Sequence, residues 1–403
     1  MAKDPVLGFY EINNQIHWDK ASALIAGTAA GLNYNHLHWN FNDDVFSKFD
    51  WTAEPPGSII DYYYKRAREI REKYDYIILN CSGGSDSTSM LYAFVNQGLH
   101  VDEVFVRRAG AGTNRFEVNN NDRSAANEFS EFEFAALPLL KWLASASPNT
   151  KITVHDFSLD IIDDNLTWDE NFIYWCGDYV TPGCIVRYAH ASQKDSLNLF
   201  DKGKRIGILF GTDKPRVSID NNKFYVRFAD RAVHSATPAT VNNGYTNAEV
   251  ELFYWHPDCM PMMAKQCHLI KRWYEQPHNK SLRYTLERSW LKHPANRTMH
   301  EALLKTIIYP DYDASIFQVD KPSRSTFQEW DYWMSDFKNT EGYKTFMRGM
   351  SHLYKNIGSG FLATNNAGTM NVKNSNGLTW EYQICFSDAY YIGDMVSPSI
   401  IST

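Results

Sequence analysis

Between residues 76 and 210 the chain alternates two hydrophobic rhythms. Tyr76-Ile-Ile-Leu-Asn80 is a short apolar run of strand length. From Asp86 to about Gln97, Met90, Leu91, Phe94 and Val95 recur at helical spacing, and Gly98 stands where a helix C-terminal cap belongs. Val101–Val106 reads as a second strand, and Ala109–Ser124 as a long polar loop. A helix is predicted from about Ala125 to Ala146, burying Phe129, Phe132, Leu139 and Leu143 and kinked at Pro138. Lys151–His155 is a third strand, a helix follows near Cys184–Phe200, and Arg205–Phe210 is a fourth strand. This alternation predicts an α/β fold, a mainly parallel sheet with helices on both faces.

The flanks read differently. Residues 1 to about 60 are aromatic, Asn-rich and irregular, broken at Trp51-Thr-Ala-Glu-Pro-Pro-Gly57. Ile59–Lys73 has opposite charges at helical spacing. Asp220-Asn-Asn222 followed by the aromatic run Lys223–Phe228 predicts a hairpin. Residues 258–308 and 325–356 read as helices, and the Gly/Asn-rich tail from Ile357 ends in strand-like segments. The expected organisation is an N-terminal extension over 1–60, an α/β domain over 61–218, and a largely helical region with some strands over 219–403.

Composition narrows the function. Hydrophobic residues at 44% and charged residues at 22% of 403 exclude wholesale disorder. A net charge of −7 argues against a non-specific nucleic-acid binder, though not against a local basic cleft. Six scattered cysteines without a CxxC pair suit a reducing, cytoplasmic compartment. The first twenty residues hold no apolar leader core, and no run approaches the roughly 20 apolar residues of a membrane span.

The chemistry concentrates in Ser82-Gly83-Gly84-Ser85-Asp86-Ser87, between the first strand and its helix. Glycines let backbone amides turn inward around an anion, and the helix N-terminus adds N–H groups and a positive dipole end. The hydroxyls of Ser82 and Ser87 are candidate phosphate donors. Asp86 would repel a bare phosphate and makes sense with Mg²⁺ between them. A Ser/Asp N-cap on a tight turn is the plainer alternative; six such residues in order, at the first strand end of an α/β unit, weigh against it.

This segment resembles the SGGxDS signature of the PP-loop, or N-type ATP pyrophosphatase, superfamily, over roughly residues 74–216. The stretch Glu251–Asp258 is also similar to PP-loop proteins often encoded by phages. The resemblance implies a Rossmann-like fold and an AMP-forming ligase or synthetase. Such an enzyme binds ATP with Mg²⁺, adenylates a carboxylate or amide-like acceptor, and releases pyrophosphate. An amine, ammonia or a sulfur donor then displaces AMP. It also implies a Gly-Thr turn near the phosphates, matched by Gly211 and Thr212 beside Asp213. Lys214 and Arg216 follow and would supply positive charge to the leaving pyrophosphate, although a solvated basic turn is the competing reading. Superfamily reductases of sulfonucleotides carry a degraded loop and a C-terminal catalytic cysteine; here the loop is intact and Cys385 lies in a strand-like context.

Arg107, Arg108, Arg115 and Arg123 gather after the second strand, where open α/β sheets bind ligands. Arg107 and Arg115 are candidates for holding the acceptor; Arg187 reads as a surface helix residue. His256, Cys259, Cys267 and His268 match no familiar zinc spacing. The chain begins Met1-Ala2 rather than with a cysteine, so no glutaminase activity in cis is expected and ammonia would arrive free or from a partner. The expected partners are ATP and a small-molecule acceptor, with no membrane; homo-oligomerisation stays open. Two alternatives stand beside the adenylating enzyme: a non-catalytic nucleotide-binding or sensing protein, and a PP-loop enzyme that modifies nucleic acid.

Overall fold

The computed structural model describes residues 7–108, 110–113, 132–156, 158–159, 179–180, 203–211, 213–230, 248–287, 300, 303–311, 338–361, 373–374, 377–378, 380–381 and 384–395. Strands β1 (Phe9–Ile12), β2 (Gln15–His17) and β3 (His38–Asn40) form a small antiparallel sheet, order β2-β1-β3, interrupted by helix α1 (Lys20–Ala29). This orders a stretch whose sequence reads as irregular. A one-turn helix, α2 (Asp43–Phe46), follows.

Helix α3 (Ile59–Lys73) starts at a reciprocal cap: Ser58 Oγ accepts from the Asp61 N–H while the Asp61 carboxylate accepts from the Ser58 N–H. Arg71 and Lys73 lie in its last turn, matching the negative end of the helix dipole. The central sheet then builds up from β4 (Tyr76–Asn80), helix α4 (Ser85–Val95) and β5 (Glu103–Arg108). Helix α5 (Leu137–Ala146), β6 (Lys151–Asp156) and β7 (Ile206–Phe210) continue it. Pro138 sits in the first turn of α5, where its missing N–H costs nothing, and the residues before it, Phe132–Ala136, form a separate π-helical turn. The loop from Ala109 to Ser124 falls largely outside the described residues, as does the segment at Cys184–Phe200.

After β7 come the hairpin β8 (Arg216–Asp220) and β9 (Lys223–Arg227), then β10 (Ala248–Leu252), helix α6 (Met260–Glu275), helix α7 (Glu341–Asn356) and β11 (Tyr390–Asp394). The hairpin turns through Asn221 and Asn222, both at positive φ, the conformation asparagine tolerates best after glycine. The predicted helix over 258–308 is broken by Pro277 into α6, a 3₁₀ stretch over Pro277–Leu286, and a helix at 303–308.

The main sheet has five parallel strands in the order β10-β7-β4-β5-β6. Every residue of β7 is buried, as a strand inside a parallel sheet requires. The chain runs outward from β4 through β5 to β6, then returns to the other side of β4 for β7 and β10. The order therefore reverses between β4 and β7. Helices α4, α3 and α6 lie side by side, and α5 joins that layer through the Tyr92–Trp142 ring contact at 4.9 Å. The β10 edge strand comes from beyond residue 218, so the parallel sheet draws on the C-terminal part of the chain.

Strand β10 is tied to the helix layer through charge. Buried Glu251 accepts from Arg66, from Tyr74, and from Lys73 at 3.0 Å. Burial works against its charge, but Arg66, His256, Tyr74 and Lys73 outweigh it and hold the carboxyl at about 2. A second sheet, order β11-β9-β8, packs through an aromatic cluster against the N-terminal region. Phe228 stands 5.4 Å from Phe41 and 5.1 Å from both Phe46 and Trp255; Trp51 stacks on Tyr390 at 5.4 Å. Among the described residues, no helix is long and apolar enough to cross a membrane.

Candidate active site

The strand order reverses between β4 and β7, and the C-terminal strand ends at such a reversal are the crevice where open α/β sheets take ligands. Both loops singled out in the sequence start there: Ser82–Ser87 after β4, and Gly211–Arg216 after β7. They touch without side chains in between. A Cβ added at Gly211 would lie 3.1 Å from the carbonyl of Asp86 and the amide of Ser87. Gly83 is required twice over. Its φ is +74°, and an added Cβ would stand 2.4 Å from the Ala136 nitrogen and 2.6 Å from its Cα.

The serines divide their work. The Ser87 hydroxyl accepts from the Ser82 N–H at 3.2 Å and donates to the Gly84 carbonyl at 3.1 Å, while Ser82 Oγ accepts from the Gly84 N–H at 3.3 Å. Both hydroxyls, read in the sequence as phosphate donors, thus brace the loop in this structure. Ser85 and Thr88 are buried at the start of α4, and their hydroxyls have no hydrogen-bond partner among the described residues. The first amides of α4 lie at the same end, as they do in any helix before its first intrahelical bond. That bond here runs from Thr88 N to Gly84 O at 3.0 Å.

Asp86 and Lys214, assigned from the sequence to different tasks, form a pair. Lys214 Nζ donates to both Asp86 oxygens, at 3.0 and 3.1 Å, from a side chain only 4% exposed. The same ammonium stands 3.1 Å from Asp213, whose other oxygen takes Arg216 at 2.5 Å. Four charges therefore alternate along the crevice: Asp86, Lys214, Asp213, Arg216. Burial opposes the Asp213 charge, yet Arg216 and Lys214 prevail and hold its carboxyl well below the usual carboxylate range. Arg216, read as a possible pyrophosphate ligand, is committed to Asp213 in this arrangement.

Two tyrosines complete the wall. Tyr309 Oη donates to Asp86 Oδ1, and Tyr254 Oη donates to the Asp86 backbone carbonyl at 2.9 Å. Burial and the nearby Asp86 charge push both phenols far above their ordinary range, so they remain donors at any working pH. Arg107 donates to Asn80 Oδ1 at 2.9 Å, and Asn80 donates to the Leu209 carbonyl at 3.2 Å, linking the ends of β5, β4 and β7. Arg108 lies over the Phe132 ring at 4.7 Å. Thr212, Arg115, Arg123 and Arg187 lie outside the described residues.

The zinc-like group at 256–268 has other partners. The Cys259 thiol donates to the carbonyls of Tyr254 and His256 at 3.3 and 3.2 Å, and burial pushes it up to about 11. His268 Nε2 contacts the Trp51 carbonyl at 3.0 Å.

As a Mg²⁺ site the described residues offer one partly exposed carboxylate, Asp86, itself paired with Lys214, and a second, Asp213, held by Lys214 and Arg216. That donor set fits an ion carried in by phosphates, which brings most of its own oxygen ligands, and does not fit a dedicated protein cage. Tyr254 reads in the sequence as a core or interface aromatic, and Tyr309 and Asn80 carry no signal of a site; only the three-dimensional contacts bring the three to this end of the sheet. Compared with known families and curated proteins, the chain matches no family model and no curated sequence.

Proposed function

We propose that the protein binds ATP at Ser82–Ser87 and adenylates an acceptor, releasing pyrophosphate. One observation carries this reading: the glycine-serine loop and buried Lys214 meet at the reversal point of a parallel sheet. Loop amides, a helix N-terminus and an ammonium converge there, which suits a polyphosphate leaving group. Unpartnered Ser85 and Thr88 hydroxyls at the same helix start support it. Lys214 is placed to trade the Asp86 carboxylate for a phosphate oxygen. Asp86 is the residue that would hold a phosphate-borne Mg²⁺, whose chemistry is charge neutralisation.

With the terminal phosphates gripped, the α-phosphorus is left open. An acceptor carboxylate or amide oxygen attacks it, the bond from the α-phosphorus to the bridging oxygen breaks, and pyrophosphate leaves with the electron pair. An amine, ammonia or sulfur nucleophile then displaces AMP from the activated acceptor. The protein contributes position and charge. Arg107, at the neighbouring strand end, is the candidate acceptor ligand among the described residues.

A second reading, nucleotide binding without turnover, draws on the engagement of Asp86 by both Lys214 and Tyr309. The experiment is product analysis: ATP, Mg²⁺ and pools of carboxylate and amide metabolites, resolved by chromatography. AMP and pyrophosphate are expected. ADP as the main product would overturn adenylation, and tight ATP binding with neither product would favour the sensing reading.

A further inference from the structure

Far along the chain from the Ser82 loop, three donors from three separate elements converge beside the N-terminal sheet. His38 lies on β3, Asp43 opens α2, and Asp388 lies just before β11. Their ligand atoms all fall within 4.8 Å of one another. His38 Nε2 stands 3.3 Å from Asp43 Oδ2. Glu11 is the cross-strand partner of His38 in β1, so three carboxylates surround one imidazole.

The arrangement holds Asp43 in an unusual way. The residue is buried, and Tyr390 donates to its Oδ1, fixing the carboxylate plane. Its Oδ2 lies out of reach of solvent, stands 3.3 Å from His38 Nε2, and accepts no well-aligned hydrogen bond among the described residues. A buried carboxylate oxygen without a hydrogen bond is expensive, because its lost hydration is not replaced. The buried Asp43 oxygen, the His38 nitrogen and an Asp388 oxygen thus converge on one point.

We propose that His38, Asp43 and Asp388 bind a divalent first-row transition ion. An ion about 2.1 Å from His38 Nε2 and Asp43 Oδ2 would see these atoms, 3.3 Å apart, at an angle of about 105°, close to tetrahedral. The imidazole nitrogen selects against Mg²⁺ and Ca²⁺, which favour all-oxygen sets, and the two carboxylates suit Zn²⁺ or Mn²⁺. Tyr390 orients the buried ligand from the outer shell, as carboxylate ligands require. Asp388 is exposed, so it can close the short remaining distance, and the open side leaves room for water. The ion would join the N-terminal sheet to the last described strand, two regions that are also held by aromatic packing and by the Tyr390–Asp43 hydrogen bond.

The test uses the full chain, stripped with EDTA and titrated calorimetrically with Zn²⁺. One equivalent should bind, raise the melting temperature, and bind roughly tenfold or more weakly in Asp388→Asn and in His38→Gln. Both altered residues are at least partly exposed, so these variants keep the fold. Asp86→Asn should bind Zn²⁺ as the parent does, separating this site from the nucleotide crevice. Absence of stoichiometric Zn²⁺ binding, or binding indifferent to both His38→Gln and Asp388→Asn, would overturn the proposal.

Discussion

Adjacent glycines in the Ser82–Ser87 loop should respond very unequally to the same substitution. In Gly83→Ala, the backbone at φ +74° would carry a side chain in the left-handed region, at about 1–2 kcal/mol. The new methyl would also lie 2.4–2.6 Å from the Ala136 backbone, which cannot rotate away. Shifting the turn before α5 to relieve that overlap costs about 1–3 kcal/mol more. The sum is about 2–5 kcal/mol. Gly84 has φ −73° and ψ 163°, open to any residue, and its added methyl would meet only Ser82 Oγ at 3.2 Å. Gly84→Ala should therefore stay within about 1 kcal/mol of the parent. For 403 residues the unfolding entropy converts the first value into a melting drop of about 2–6 °C and the second into about 1 °C or less. Scanning calorimetry of the two variants measures both. On the proposed function, Gly84→Ala should also weaken ATP binding while remaining folded, because a methyl there stands where phosphate approaches the loop. If Gly83→Ala melts with the parent, or Gly84→Ala is the more damaged, the assigned backbone roles are wrong.

Three further outcomes follow from the contacts described. Lys214→Met should abolish ATP-dependent pyrophosphate release and lower stability by about 1–2 kcal/mol, since Asp86 keeps Tyr309 and some solvent; release at the parental rate would remove Lys214 from the chemistry. Tyr309→Phe deletes a buried donor to a carboxylate and should lower stability by about 1–3 kcal/mol in urea titrations, with an unchanged midpoint arguing that the contact carries little. Glu251 has a folded pKa of about 2, below its unfolded value of 4.5, so its contribution is full above pH 4.5 and is lost as pH falls toward 2. That contribution is about 3 kcal/mol, and urea midpoints between pH 6 and pH 3 should fall more steeply in the parent than in Glu251→Gln; equal slopes would contradict it.

The strands and helix around the loop were legible because their signals are local. Tyr76–Asn80 is apolar throughout, and Met90, Leu91, Phe94 and Val95 repeat at one helical face. Strand β10 escaped notice because Ala248-Glu-Val-Glu-Leu252 reads as polar; its buried Glu251 is satisfied by Arg66, Lys73 and Tyr74, far away in sequence. The N-terminal strands are only three or four residues long, too short for periodicity to register. Asp86 and Lys214 each stood out in the sequence as candidates, but their pairing depends on the strand order, which no local pattern encodes.

The aromatic cluster has a consequence for biosynthesis. Phe41, Phe46 and Trp51 pack against Phe228, Trp255 and Tyr390, so the earliest part of this set leaves the ribosome roughly 350 residues ahead of its last partner. At about 5–20 residues per second, that interval is roughly 17–70 s. During it these rings have no complete set of neighbours, and transiently exposed apolar surface is what draws nascent chains together. Slower growth at low temperature, or co-expression of a chaperone that shields apolar segments, should raise the soluble yield of the full chain. A chain ending before Tyr390 should gain less from either measure, because the Trp51 ring never receives the partner on which it stacks.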